Sequence, residues 1–135
     1  MSSHLIRVVD NALDEFDRRA QSQAYFNDPA AWAEYMLGAT MWSRQREIAQ
    51  AVVHNKSVSV KAGHGVGKSW LAAVLILWWV DTRSPDVFVM STAPSLAQVS
   101  SVLWREIRGM KALIEERFEA GIIDHKLPGK INAFN

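Results

Sequence analysis

The chain has 135 residues, a net charge of +1 and no cysteine. A hydrophobic content of 49% against a charged content of 21% excludes a disordered chain, and the missing cysteines exclude disulfides and Cys-based zinc sites. The length suits one domain, and the small net charge means that any contact with nucleic acid has to come from a local patch.

The first 56 residues have the sequence pattern of helices. Between residues 5 and 20, apolar side chains recur at spacings of three and four, which predicts an amphipathic helix. Its mixed-sign polar face favours a helix that lies on the domain or on a partner over one that lies on a membrane. The apolar positions of this helix are Leu5, Val9, Ala12, Leu13, Phe16 and Ala20.

Two further helices are predicted before residue 56. Asp28 followed by Pro29 is typical of a helix start, because the Asp side chain caps the first turn and proline suits the first helical position. Gly38 lies near the expected end of that helix. Another helix is predicted from Ser43 to about His54. We therefore interpret residues 1–56 as a helical N-terminal segment.

Residues 57–80 combine a short run rich in β-branched residues, a glycine-rich loop and an apolar helix. The loop over residues 62–69 matches the relaxed form of G-x-x-x-x-G-K-[ST], with Ala62 in place of the first glycine. Its glycines let successive backbone N–H groups point at phosphate oxygens. Lys68 adds a positive charge for the outer phosphates, and the Ser69 hydroxyl can ligate Mg²⁺.

This loop predicts an ATP·Mg²⁺ site, for which Ser69 is the expected metal ligand. A surface loop that contains Gly-Lys-Ser by chance is the alternative. The strand before the loop and the helix after it are the context that phosphate-binding loops require, and they favour the site. The residues predicted to bind ATP here are Ala62, Gly63, His64, Gly65, Val66, Gly67, Lys68 and Ser69.

Upstream of this loop, Trp42 and Gln45 suggest a contact with the base. Several ATP-driven motors have an aromatic residue and a glutamine in this position, and a glutamine amide can pair with both a donor and an acceptor of adenine. A glutamine on the surface of a helix, without a role in binding, is the alternative.

The longest apolar run, from Trp70 to Val80, is shorter than a bilayer requires and suits a buried helix. The N-terminus lacks the charged start and apolar block of a secretion signal. We therefore expect a cytoplasmic protein with no membrane-spanning segment.

The residues after this helix predict a parallel sheet. A turn is expected over 81–86, followed by a short apolar run. A helix between two such runs is typical of a βαβ unit, so strands at 58–61 and 87–91 should be parallel and buried. The expected fold class is α/β. An incomplete sheet would leave part of the apolar helix uncovered, namely Trp70, Leu71, Leu75 and Trp78, which predicts association or poor solubility.

Residues 91–95 follow the second predicted strand, at the edge where open α/β sheets place their ligands. Ser95 and Gln98 form a capping box that opens a long helix, predicted to end near Gly121. The capping box alone accounts for both residues. A contact of Thr92, Ser95 or Gln98 with DNA is the other interpretation.

The C-terminal residues give few signals. An ATPase of this kind needs an acidic strand end that holds Mg²⁺ and activates water. Residues 122–124 are the only candidate, and we reject them because two apolar residues after a glycine make a poor strand. The four histidines have no mutual spacing typical of a metal site, so we interpret them as ordinary: His4, His54, His64 and His125.

Three stretches taken together resemble the large subunit of tailed-phage terminases. These are residues 42–47, residues 60–71 with the glycine-rich loop, and residues 91–108, which read STAPSLAQVSSVLWREIR. The resemblance covers about residues 28–130. It implies a RecA-like ATPase domain with a parallel sheet, joined to a nuclease domain. It also implies a protein of bacteriophage or prophage origin that drives viral DNA into a procapsid in the bacterial host cell.

The resemblance also implies roles for individual residues and partners. Gln45 would recognise adenine, residues 62–69 would hold ATP and Mg²⁺, and residues 92–98 would contact DNA. The implied partners are double-stranded DNA, a portal, the small terminase subunit and further copies of the chain. Many members carry an arginine in the loop, where this chain has His64.

On this interpretation, residues 57–135 are the first part of the ATPase core, and the acidic Walker B strand and the nuclease domain lie beyond Asn135. Two alternatives remain open. One is a helicase-like, DNA-dependent ATPase, and the other is a non-catalytic prophage remnant that acts as a binding module.

Overall fold

The computed structural model describes residues 3–58, 67–83 and 102–128, and for residues 14–22 it describes the backbone alone. Within these ranges the chain forms five α-helices and one short 3₁₀ turn. They are α1 (Ser3–Ser22), the turn Gln23–Tyr25, α2 (Pro29–Leu37), α3 (Ser43–His54), α4 (Lys68–Arg83) and α5 (Trp104–Glu119). None of these helices is long and apolar enough to cross a bilayer.

The predicted α/β fold with a RecA-like parallel sheet is wrong. All regular structure in the described ranges is helical, and no strand occurs there. The predicted strands at 58–61 and 87–91 lie outside these ranges except for Val58, which is exposed and has no regular structure. The physical reason for the error is that an apolar helix can bury its surface against other helices as well as against a sheet.

The core surrounds α4, which packs against α2 and α5. Leu71 and Trp78 were expected to be partly uncovered and are instead buried, whereas Trp70 and Leu75 are partly exposed. Helix packing against α4 therefore buries two of the four side chains and leaves the other two partly exposed, as expected for those two. The largest side chains of this core are Trp32, Met36, Leu77, Trp78, Ile107 and Ile114.

The predicted boundaries of α2 are confirmed. The Asp28 carboxylate accepts a hydrogen bond from the Ala31 N–H at 3.0 Å, and Pro29 is the first helical residue. Gly38 ends the helix in the left-handed region, with φ of 68°. The Arg117 guanidinium of α5 lies against Gly38 and donates to the Tyr35 carbonyl at 2.9 Å. This contact joins the end of α2 to α5.

The helix predicted between residues 43 and 54 is confirmed as α3. The amphipathic N-terminal helix is confirmed as α1, and its described side chains, residues 3–13, are all exposed.

The turn predicted over 81–86 is wrong in its first half, because α4 continues as a helix to Arg83. Asp81 looked like a turn residue because it follows an apolar run, but it is buried in the fold.

The end of the long C-terminal helix is confirmed, since α5 ends at Glu119 and Gly121 adopts a φ of 76°. Its predicted start at Ser95 lies outside the described residues. After Gly121, alternate side chains are buried over residues 123–127, namely Ile123, His125 and Leu127. This segment, which has few recognisable sequence signals, contributes to the core.

Candidate functional site

Three residues of the predicted ATP loop are described, and they lie at the N-terminus of α4. Gly67 adopts a φ of 68°, and its carbonyl accepts the Leu71 N–H at 2.9 Å, so Gly67 immediately precedes the helix. The Lys68 side chain is exposed, and Ser69 is partly exposed. Residues 62–66, which include His64, lie outside the described ranges.

The start of α4 has the general properties of an anion site. The first N–H groups of any α-helix have no acceptor within the helix, and the helix dipole places partial positive charge there. Phosphate groups bind at such ends for both reasons. The exposed ammonium group of Lys68 adds a full charge at the first position of the helix.

The fold brings Gln45 to this helix end. Gln45 lies in the first turn of α3 and is 5% exposed. Its Oε1 accepts a hydrogen bond from the Trp42 N–H at 3.0 Å. A β-carbon added to Gly67 would lie only 2.7 Å from Nε2 of Gln45, so this position leaves no room for a side chain. Two predicted site residues that are distant in sequence therefore meet in space.

Trp42 precedes α3 and is 61% exposed. Its backbone N–H donates to Oε1 of Gln45, the residue that contacts Gly67. A large exposed aromatic ring at this place is available for stacking.

A magnesium site would depend on the bound nucleotide. No group of three or more His, Asp or Glu side chains within the described ranges could hold a metal ion. Ser69 lies in the first turn of α4, where its hydroxyl suits one Mg²⁺ ligand if phosphate oxygens and water supply the rest. The predicted DNA contacts at Thr92, Ser95 and Gln98 lie outside the described residues.

Sequence reasoning missed a polar cluster at the opposite end of α4. Asp81 is 1% exposed, and its Oδ2 accepts a hydrogen bond from Nε1 of Trp32 at 2.9 Å. The same oxygen lies 3.0 Å from Nε2 of His125, which is 4% exposed. The cluster joins α2, α4 and the C-terminal segment. The signals for it were an aspartate directly after an apolar helical run and a histidine between Ile123 and Leu127.

Arg83 completes this end of α4. Its guanidinium lies 3.9 Å from the ring centre of Phe26 and 3.8 Å from that of Trp79, and it donates to Oγ1 of Thr82 at 2.8 Å. Burial lowers the pKa of Arg83 from its ordinary value. The contacts are with the protein itself, so this residue has a structural role.

No family model matches the chain, and no curated protein or solved structure matches it either.

Proposed function

We propose that the chain binds ATP·Mg²⁺ at the N-terminus of α4, as the nucleotide-binding part of a terminase-like motor that packages double-stranded viral DNA. The observation that carries the proposal is the contact of Gln45 with Gly67, directly beside Lys68 and Ser69. The glycine-rich loop motif over 62–69 supports the same site independently.

Each described residue has a role that fits a triphosphate. The N–H groups of the first turn of α4 donate to phosphate oxygens, and the Lys68 ammonium binds the outer phosphates. The Ser69 hydroxyl ligates Mg²⁺, which neutralises charge on the phosphates when it is bound. Gly67 permits the close approach of the backbone that this arrangement needs.

The exposed indole of Trp42 supports the position of the base. Trp42 is the residue whose backbone N–H donates to Gln45, and nucleobases stack on exposed aromatic side chains of this kind. The proposal therefore assigns the triphosphate to the start of α4 and the base to Trp42.

The motor role comes from the resemblance in residues 42–47, 60–71 and 91–108. It implies that the chain works on double-stranded DNA with a portal, a small terminase subunit and further copies of itself, in the bacterial host cytoplasm. The proposal for the described residues concerns nucleotide binding alone.

Calorimetric titration with ATP·Mg²⁺ tests the proposed site. Lys68→Ala should weaken binding by about tenfold to a hundredfold, because it removes a charge-assisted contact. Lys56→Ala is the matched control, since Lys56 is an exposed lysine in the loop after α3, and it should leave binding unchanged. Negligible binding by the wild type, or an equal loss in both variants, would contradict the proposal.

A further inference from the structure

The Gln45 side chain contacts the protein backbone at two places. Its Oε1 accepts from the Trp42 backbone, and its Nε2 lies against Gly67. Only 5% of the residue is exposed. A glutamine that reads adenine has to present a donor and an acceptor to the base. The amide of Gln45 is instead buried between the start of α3 and the start of α4.

Gly67 and Gln45 form a matched pair. A φ of 68° favours glycine, and Nε2 of Gln45 occupies the space that a β-carbon would need. Gln45 therefore holds Gly67 from one side while the first turn of α4 begins on the other. Gln45 therefore contacts the residue that immediately precedes Lys68 and Ser69.

We propose that Gln45 is a positioning residue for the phosphate loop and does not read the base. The inference rests on the proposed function of the site. Gln45 orients the loop end against α3 and affects bound nucleotide through the phosphates. Its loss should therefore weaken every ligand that carries a triphosphate, whatever the base, and should weaken inorganic tripolyphosphate equally.

Gln45→Met tests this inference, because methionine has a similar length and no amide. We expect the dissociation constants for ATP, GTP and inorganic tripolyphosphate, each with Mg²⁺, to rise by the same factor of about three to ten, as for one lost hydrogen bond. The matched control is Gln50→Met, a partly exposed glutamine later in α3. It should leave all three constants unchanged. Circular dichroism checks that each variant is folded.

A second variant serves if Gln45→Met does not fold. Gln45→Glu keeps an acceptor for the Trp42 N–H and removes the amide nitrogen beside Gly67, so it should start α3 normally. It should also weaken the binding of ATP and of GTP by equal factors. The measured quantity is the ratio of the two dissociation constants, which should equal that of the wild type.

The outcomes separate this inference from the proposed site. Weaker ATP binding with unchanged GTP and tripolyphosphate binding would mean that Gln45 reads the base, which overturns the inference and leaves the site intact. Unchanged binding of all three ligands would overturn it as well. A wild-type protein that binds none of the three would overturn the site itself, and the inference with it.

Discussion

The two ends of α4 differ in how their polar groups are satisfied. At the C-terminal end, Asp81 binds Trp32 and His125, and Arg83 lies between aromatic rings. At the N-terminal end, the Lys68 side chain extends into solvent. The chain thus supplies internal partners for the charges at one end and exposes the charge at the other.

This difference separates a structural end from a binding end. Buried polar groups require partners because desolvation is costly, so the contacts of Asp81 stabilise the fold. An exposed lysine at a helix start adds little to stability and remains available to an anion. Substitutions at the two ends should therefore affect different measurements, stability at one and ligand binding at the other.

The largest effect on stability is expected from Asp81→Ala. The substitution leaves Nε1 of Trp32 and Nε2 of His125 without their carboxylate partner in the core, and the free energy of unfolding should fall by about 1–3 kcal/mol for each buried group left without a partner. Urea denaturation measures this loss. Asp10→Ala, on the exposed face of α1, is the control and should change stability by less than about 0.5 kcal/mol.

ATP titration of the same variant sharpens the comparison. At a temperature where Asp81→Ala remains folded, its affinity for ATP·Mg²⁺ should equal that of the wild type. A loss of affinity in the folded variant would mean that the two ends of α4 are coupled, and the division into a structural end and a binding end would not hold.

Gly67→Ala should have an intermediate effect on stability and a clear effect on binding. A β-carbon in the left-handed region costs about 1–2 kcal/mol and would also displace Gln45. We expect the free energy of unfolding to fall by that amount and ATP affinity to fall by about tenfold or more.

Gly109→Ala is the matched control for that substitution. Gly109 lies within α5, and a β-carbon there would have no neighbour within 4 Å. The control should raise stability by about 0.5–1 kcal/mol, because alanine favours helix over glycine, and should leave binding unchanged. Equal behaviour of the two variants would argue against a special role for Gly67.

The smallest effect is expected from Tyr35→Phe. The Tyr35 hydroxyl accepts the Asp124 N–H at 2.8 Å and so supports the segment that carries His125. Its removal should lower the free energy of unfolding by about 0.5–1.5 kcal/mol near neutral pH.

The stability difference between the wild type and Tyr35→Phe should depend on pH. Burial raises the pKa of Tyr35 above its ordinary value, although the Asp124 N–H acts in the opposite direction. A raised pKa in the folded state stabilises the fold below the ordinary pKa, and this contribution is lost as the pH rises through the folded pKa. Wild-type stability should therefore fall more steeply than that of Tyr35→Phe above about pH 10. Parallel curves in thermal unfolding would refute this prediction.

The helix ends were predictable because capping is a local matter. Asp28 and Pro29 start α2, and Gly38 ends it, because their side chains and backbone preferences act within a single turn. The capping contact of Gln45 with the Trp42 N–H is of the same local kind. Such positions require no knowledge of the rest of the chain.

The packing partners of α4 were not predictable in this way. An apolar run such as that of α4 suits a helix against a sheet as well as a helix among helices, so the pattern of residues 70–80 could not exclude either. The sheet prediction failed at this choice. The structural role of His125 was missed for a related reason, since it depends on a contact with Asp81, which is far away in the sequence.

Local chemistry thus specified the helices, their caps and the candidate phosphate-binding residues Lys68 and Ser69, because each depends on near neighbours along the chain. Long-range packing specified the helical core around α4, the burial of Asp81 with His125, and the contact of Gln45 with Gly67. These features require residues from separate elements to meet, and burial and hydrogen bonding between such residues depend on distances that a linear pattern does not contain.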